Sequence, residues 1–448
     1  MKKRTFRSLA FSSLLLIIFS NSTQAQYLRS SYFMNENTSQ FELNPALLPQ
    51  HSYIGFPALG SLTSETSSNT FDAQNIIDLF DQDNEFYNKD QFYNKLKATN
   101  NLNANIRTNL ISFGIRKGKG FWSFNIGTRG DVETTLSKTM FDYLRAVDDK
   151  NYDWKNSSID IRDNKLRMNI YTEIGAGYSH IINNRLTIGG RVKLLLGMGN
   201  INMNINRLYI YGKEDGMNSE YQLQTDASMK VSAKGLEIEE NKDGYIQDLD
   251  YDNFGISGYG AGVDFGLSYK LLDNITLSAS LLDLGFISWS KANTQTAASN
   301  DDIVVNQDNY GDSPDLLDLD LYGLKKQENK SRKTSLSPTL VFAGGYDILQ
   351  RKLGFGILST TRMGKLKTYS ELTLSMTYRP YYFFNTSINY SILKGGETFG
   401  VAFKIGSLMI GSDYLYLGKS TKHINAFIGM SIPLSKRHKE SNPTIRKD

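Results

Sequence analysis

Nine ionisable residues fall at matching phases of alternating segments: Arg129, Arg191, Lys193 and Lys404 against Glu173, Asp264, Asp347, Glu371 and Asp413. In each segment the opposite phase is apolar, so these groups belong to the inward side of one sheet. Four positive and five negative groups suit paired charges that brace a wall, whereas a single-sign stripe would indicate an ion-selective pore. Phe121 and Phe427 share the inward phase, and Tyr27, Tyr32 and Phe33 precede the first strand. These aromatics offer contacts for a packed inner segment or a hydrophobic solute.

Catalytic and metal chemistry have little footing. The histidines are His51, His180, His423 and His438. Only His423 combines an inward phase with an external position, near Asp413 and Tyr416, and no nucleophile–base pattern accompanies it. The absence of cysteine excludes thiolate zinc sites, Fe–S clusters, a cysteine nucleophile and disulfides. The acidic runs Asp81-Gln82-Asp83, Asp248-Leu249-Asp250-Tyr251-Asp252 and Asp315 to Asp320 lack the glycine and glutamate of a calcium loop. They read as solvated loop carboxylates, so no metal or cofactor is expected. Gly258-Tyr259-Gly260-Ala261-Gly262 lies in an alternating segment with no helix after it, which rejects a dinucleotide fingerprint. Its glycines suit bending or the close approach of an inner segment.

The elements that position these residues are strands. Leu372, Leu374, Met376 and Tyr378 alternate with Glu371, Thr373, Ser375 and Thr377, and Phe399, Val401, Phe403 and Ile405 with Thr398, Gly400, Ala402 and Lys404. The same period predicts strands near 52–62, 107–116, 120–130, 166–181, 185–199, 255–271, 274–289, 336–349, 352–362, 368–379, 381–392, 397–405, 408–416 and 422–432. Tight turns such as Leu272-Asp273, Gln350-Arg351 and Gly406-Ser407 alternate with connections at 63–106, 131–165, 200–254 and 290–335, then 363–367, 393–396 and 417–421. In a meander that puts every short turn at one end and every long loop at the other, the asymmetry of outer-membrane barrels. Within the first long loop, 71–97 reads as a short helix or helix pair.

The N-terminus supplies an address. Basic residues at 2–7, the apolar run Leu9 to Phe19 and Thr23-Gln24-Ala25 make a secretory signal peptide cleaved after Ala25. Lys2, Lys3, Arg4 and Arg7 leave with it, which turns 50 basic against 46 acidic groups into 46 against 46. A neutral chain has no general attraction for phosphate backbones, so nucleic acid is not an expected partner. No later stretch is apolar for the 18 residues of a spanning helix. Hydrocarbon then admits only a closed barrel, because unpaired backbone groups cost several kcal/mol each.

Asn44-Pro45-Ala46, in the context FELNPALLP ahead of the first strand, resembles the NPA motif in the N-terminal hatch of FadL-type outer-membrane transporters. The stretch Leu282-Asp283-Leu284-Gly285-Phe286-Ile287-Ser288-Trp289 resembles a segment of FadL-like and PorV-like envelope proteins. The resemblance implies a barrel of fourteen strands, a lumenal N-terminal plug with Asn44, Pro45 and Ala46 as its hatch, and passive uptake of small hydrophobic compounds. For PorV-like members it implies a secretion or surface-anchoring partner that binds cargo or the translocon. One departure is the basic tail after the last strand, where many barrels end on an aromatic residue.

The expectation is therefore an all-β, transmembrane, antiparallel up-and-down barrel in the outer membrane of a Gram-negative bacterium. It comprises a signal peptide at 1–25, a plug or hatch at 26–51, the barrel at 52–434 and a basic periplasmic tail at 435–448. Its expected partners are membrane lipid, a hydrophobic small molecule and secretion-system proteins, and no enzymatic role is expected.

Overall fold

The computed structural model describes residues 29–34, 39–55, 61–72, 74–75, 86–149, 151–153, 156–212, 221–251, 255–305, 319–381, 383–393, 396–415 and 421–434. The signal peptide, Tyr27, Asp81 to Asp83, Asp315, Tyr416 and the basic tail lie outside them.

The strands run in order β1 (Tyr53–Gly55), β2 (Ser61–Ser68), β3 (Thr99–Lys117), β4 (Gly120–Ser137), β5 (Ser158–Ile181), β6 (Leu186–Gly212) and β7 (Tyr221–Ala233). There follow β8 (Leu236–Glu240), β9 (Ile246–Tyr251), β10 (Gly258–Leu272), β11 (Ile275–Trp289), β12 (Thr294–Val305), β13 (Lys325–Lys326) and β14 (Arg332–Ser335). The last are β15 (Thr339–Ile348), β16 (Leu353–Met363), β17 (Thr368–Tyr381), β18 (Phe384–Leu393), β19 (Gly396–Ile405), β20 (Leu408–Ser412) and β21 (His423–Pro433).

Every pairing is antiparallel, and the sheet closes because β21 meets both β1, at Ile54↔Ile432, and β2, at Thr63↔Phe427. With β1 and β2 as one interrupted stave and β14 continuing into β15, the wall has fourteen staves. The described staves overlap all the expected strands, though β3 begins eight residues earlier than 107 and β20 ends at Ser412.

The two phases meet different surroundings. On β17, Leu372, Leu374, Met376 and Tyr378 are 36–48% exposed, whereas Thr373 and Thr377 are fully buried. On β10 the outward phase runs Tyr259, Ala261, Val263, Phe265, Leu267, Tyr269. Ten residues of rise at about 3.3 Å, tilted ~40°, separate its two tyrosines by about 25 Å along the barrel axis. That is the height of an outer-membrane apolar band bounded by aromatic residues, so the exterior is a lipid-facing one.

The long connections differ from the expected loops. Strands β4, β5 and β6 continue well beyond the band, β6 pairs with β7 from Gly199↔Ala233 to Gly212↔Tyr221, and β12 extends that sheet along β7. This extension has its own core of Ile161, Leu208, Ile210, Leu223, Met229, Ile246, Leu249 and Leu321, with Tyr143 and Ala146 of the helix Lys138–Asp148. Ile201, Met203 and Ile205 alternate with Asn202, Asn204 and Asn206, so the period of two persists past the membrane with asparagine on the wet phase. From the segment 290–335, Leu319, Leu321, Tyr322 and Leu324 join this core. Within 71–97 Gln74 and Asn75 are helical, and helical turns run over Phe86–Asn88 and Asp90–Tyr93; Phe71, Phe86, Phe92 and Leu96 pack on Phe141.

Placing a charge mid-band tests the orientation. Leu374→Arg should lower stability by about 2–4 kcal/mol in urea unfolding from lipid vesicles, the cost of a lipid-facing arginine at the midplane. A shift below ~0.5 kcal/mol would place Leu374 away from lipid.

Candidate functional site

Inside the barrel, three cations and three carboxylates from β4, β5, β6, β10 and β11 form one closed cluster. Arg129 meets Glu173 at 2.7 Å and Asp283 at 2.8 Å, and Arg191 meets Glu173 at 2.9 Å and Asp264 at 3.2 Å. Lys193 reaches Asp264 at 2.7 Å and Asp283 at 2.6 Å. Asp283 owes its place to a bulge: its φ is +59°, and the β10–β11 register shifts between Val263 and Phe265. Leu282 and Asp283 are therefore both buried, and the Asp283 amide donates to Asp264 at 2.7 Å. Such a cluster is stable only when complete, since one missing partner leaves a buried charge uncompensated.

The N-terminal segment lies inside the wall. The Asn44 side-chain amide is 3.2 Å from the carbonyls of Leu267 and Ala279 and from the Tyr32 hydroxyl, and its Oδ1 accepts from the Ala46 amide at 2.9 Å. Ser179 donates to the Pro45 carbonyl at 2.5 Å and Ser280 to the Leu43 carbonyl at 2.6 Å. This approach needs a bare wall. A Cβ at Gly189 would come within 2.4 Å of the Pro45 carbonyl oxygen, and one at Gly266 within 2.2 Å of Asn44 Oδ1. Those two glycines are direct cross-strand partners.

The arrangement recurs at Gly345↔Gly356, another direct pair, where a Cβ on Gly356 would meet the Phe33 ring at 2.3 Å. The glycines at 258–262 instead meet neighbouring strands, Trp289 and Leu336, so of the two expected uses, bending or the close approach of an inner segment, the second is not found there. Nearer the rim, Asp413 accepts the backbone amides of Arg29 at 2.7 Å and Ser30 at 2.8 Å, while Arg29 Nε meets Glu371 at 2.7 Å.

Above the segment, the turn between β16 and β17 is strapped to the far wall. Glu133 on β4 accepts the amides of Lys365 at 3.0 Å and Leu366 at 2.8 Å. Arg362 crosses to Asp131 at 2.8 Å and to Asn105 at 2.8 Å. On either side lie two cavities, of about 220 Å³ beside Arg29, Leu43 and Tyr369, and about 250 Å³ beside Arg167, Asn200 and Lys333.

Of the residues singled out by phase, Arg129, Glu173, Arg191, Lys193 and Asp264 come together in the six-charge cluster, and Glu371 and Asp413 hold Arg29. Asp347 is half-buried and pairs with Arg379, which also donates to the Phe33 carbonyl at 3.0 Å. Lys404 is buried, in register between Asn385 and Met409 and apart from the cluster. Phe121 packs on Phe41 and Tyr53, and Phe427 on Met34. His423 is buried beside the Tyr414 ring, whereas the Asp413 carboxylate is taken by Arg29, Ser30 and Asn425. Sequence reasoning missed Asp283, Arg362, Arg379, Asp131 and Glu133. For Asp283 the D-L-G stretch was the available signal; Arg362 and Arg379 are the last residues of the expected strands 352–362 and 368–379, and Asp131 and Glu133 lie just past the expected strand end at 130, in the continuation of β4.

Asp283→Asn should cost about 3–5 kcal/mol in urea unfolding, because Arg129 and Lys193 lose a shared buried carboxylate. Glu328→Gln, which removes an exposed partner of Lys291, should stay within the ~0–1 kcal/mol of a surface pair. Equal effects would sink the cluster's structural role.

Solved structures similar to the chain include FadL-family channels. The Pseudomonas putida toluene transporter TodX is 12% identical at TM-score 0.39, with 92% of this chain and 94% of that one covered. A Pseudomonas aeruginosa FadL homologue is 9% identical at TM-score 0.32, covering 92% and 97%. The monoaromatic hydrocarbon channel CymD is 9% identical at TM-score 0.32, covering 90% and 94%. No curated protein matches the chain. A family model matches residues 45–413, from the Pro45 that rests on Gly189 to the Asp413 that holds Arg29, and the chain thus belongs to DUF5723, a family of unknown function.

Proposed function

We propose that the chain is an outer-membrane barrel for passive uptake of small solutes, with the N-terminal segment around Asn44, Pro45 and Ala46 as its hatch. The observation that carries this reading is the cavity of about 220 Å³ whose wall includes Arg29 and Leu43 of that segment. A solute held there rests on the piece of chain that blocks the way inward. The segment is fastened by hydrogen bonds and ion pairs to several staves, with no covalent tie to the wall above Tyr53, so it can shift without opening the sheet.

The cavity differs from the continuous apolar pocket expected of a hydrocarbon conduit. Leu43, Leu393, Tyr369 and Tyr414 give apolar wall, and between them stand hydroxyls, carboxamides and guanidinium groups. Its solute therefore combines a small apolar body with polar groups. The cavity exceeds the ~150 Å³ that suffices for benzene, which bounds that body at about one ring with a substituent.

The secretion-partner reading has one observation in its favour, the packed sheet extension outside the apolar band, which is a rigid platform for a protein. A stoichiometric complex with secretion components surviving gentle extraction from the membrane would favour it over uptake.

The hatch reading predicts that Asn44→Ala, which removes the bonds to the Leu267 and Ala279 carbonyls, raises solute entry in liposome swelling several-fold. Glu133→Gln, which weakens the strap, should add to that effect. If both variants swell at the native rate while the native protein itself admits solute, the hatch lies elsewhere.

A further inference from the structure

Five residues that line the cavity beside Arg29 carry buried polar atoms with no hydrogen-bond partner among the described residues: Arg29 Nη1, Asn103 Oδ1, Thr339 Oγ1, Arg362 Nε and both ring nitrogens of His423. A buried polar group without a partner costs about 1–3 kcal/mol, and native interiors tolerate few such groups. Their convergence on one cavity indicates that their partner is something that enters it.

The wall orders these groups into two rungs. Asn103 and His423 are both register partners of Ser67, on the strands flanking β2. Thr339 is the register partner of Arg362, which in turn pairs with Tyr369, so the second rung crosses β15, β16 and β17. Arg29 stands near the second rung: its Nε is 3.5 Å from the Thr360 hydroxyl, two residues from Arg362 on the same face of β16. Two guanidinium edges, which can only donate, thus approach the same space within about 7 Å of strand rise.

The charges agree in sign. Arg29, Lys97, Arg362 and Lys367 stand against Glu65 and Glu371; Glu371 is engaged by Arg29 Nε and the Tyr414 hydroxyl and Arg362 Nη2 by Asp131, which leaves Arg29 Nη1 and Arg362 Nε as the buried guanidinium atoms here without a hydrogen bond among the described residues. Arg29 Nη1 is 4.0 Å from Glu65 and 3.9 Å from Asp413, outside hydrogen-bonding reach of both. We infer that the cavity is a binding site for a small organic anion, its carboxylate between Arg29 and Arg362 and its apolar body toward Leu43 and Leu393. Thr339 and His423 supply further hydrogen bonds along the two rungs. This assignment rests on the uptake reading and gives it a substrate class different from hydrocarbon.

The test is calorimetric titration of the mature barrel in detergent with three probes of one shape: benzoate, benzamide and toluene. Benzoate should bind saturably and at least tenfold more tightly than benzamide, with toluene weaker still. Arg362→Met should weaken benzoate at least tenfold. Thr339→Val, which leaves the Arg362–Asp131 strut intact, should weaken it about threefold. Toluene binding as well as benzoate, or benzoate affinity indifferent to both substitutions, would overturn the anion site while leaving uptake standing. Binding of none of the three, with liposomes still admitting solute, would mean that these polar atoms are met by water alone, and the site falls by itself. No binding together with no solute entry would remove both the site and the uptake reading.

Discussion

Hydrocarbon offers a backbone N–H or C=O nothing to bond to, and this forces the last strand back onto the first. β21 must satisfy its outer edge on a partner assembled from two pieces, β1 and β2, which are in turn held by β3. Closure then dictates everything inside. The inward phase is cut off from lipid, and its polar side chains must satisfy one another or find a second surface. The six-charge cluster is the first solution, with each carboxylate touching at least two cations. The N-terminal segment is the second, because Asp413, Ser280, Ser179 and Arg379 all spend hydrogen bonds on its main chain.

Wall relief decides where that second surface can sit. A side chain on the inward phase holds a guest at a distance, so a segment whose own backbone must touch the wall needs places where two adjacent strands both lack a Cβ. Gly189↔Gly266 and Gly345↔Gly356 are such places, and they receive Asn44-Pro45 and Phe33. The glycines act through space, since neither pair has a positive φ. Asn44 then uses its amide on two wall carbonyls and its Oδ1 on the Ala46 amide, so proline after it loses nothing by lacking an N–H.

This logic explains what could be read from the chain. Phase alone placed Glu173, Arg191 and Asp264 inside, because lipid on one side and lumen on the other impose a strict period of two. It could not place Asp283, whose odd number belongs with outward Leu277 and Leu281 until the bulge reverses the phase. It also left Arg362 and Glu133 unassigned, because near the rim both phases are polar and alternation carries no contrast. The strand residues 200–212 and 221–233 were hidden for a related reason. Water replaces lipid on the outer phase there, so the strand continues while its hydropathy signal weakens, and the sequence reads as loop. The N-terminal segment has no period at all; its position was legible only through Asn44-Pro45-Ala46, and its glycine seats only once the strands were in register.

The two closures of the lumen differ in what holds them, and this sets an order. The strap at Lys365 and Leu366 is held by main-chain amides on one carboxylate near the rim, with Lys365 also reaching outward to the Leu336 carbonyl at 2.7 Å. Glu133 is itself buried, but its partners are neutral main-chain amides, each bond to the carboxylate contributing about 1.5–3 kcal/mol. The inner segment is held by Asp413 and Glu371, both buried, and by the wall carbonyls of Leu267 and Ala279. Freeing Arg29 from them without replacement would strand charges in the interior, at several kcal/mol. Opening the strap leaves one carboxylate without its amides, whereas freeing Arg29 parts a guanidinium from two carboxylates, so the strap is the less costly of the two to release. If the inner segment is the hatch proposed above, it yields when an arriving group takes over the bonds that it gives up, which ties its release to the chemistry of what fills the cavity beside it.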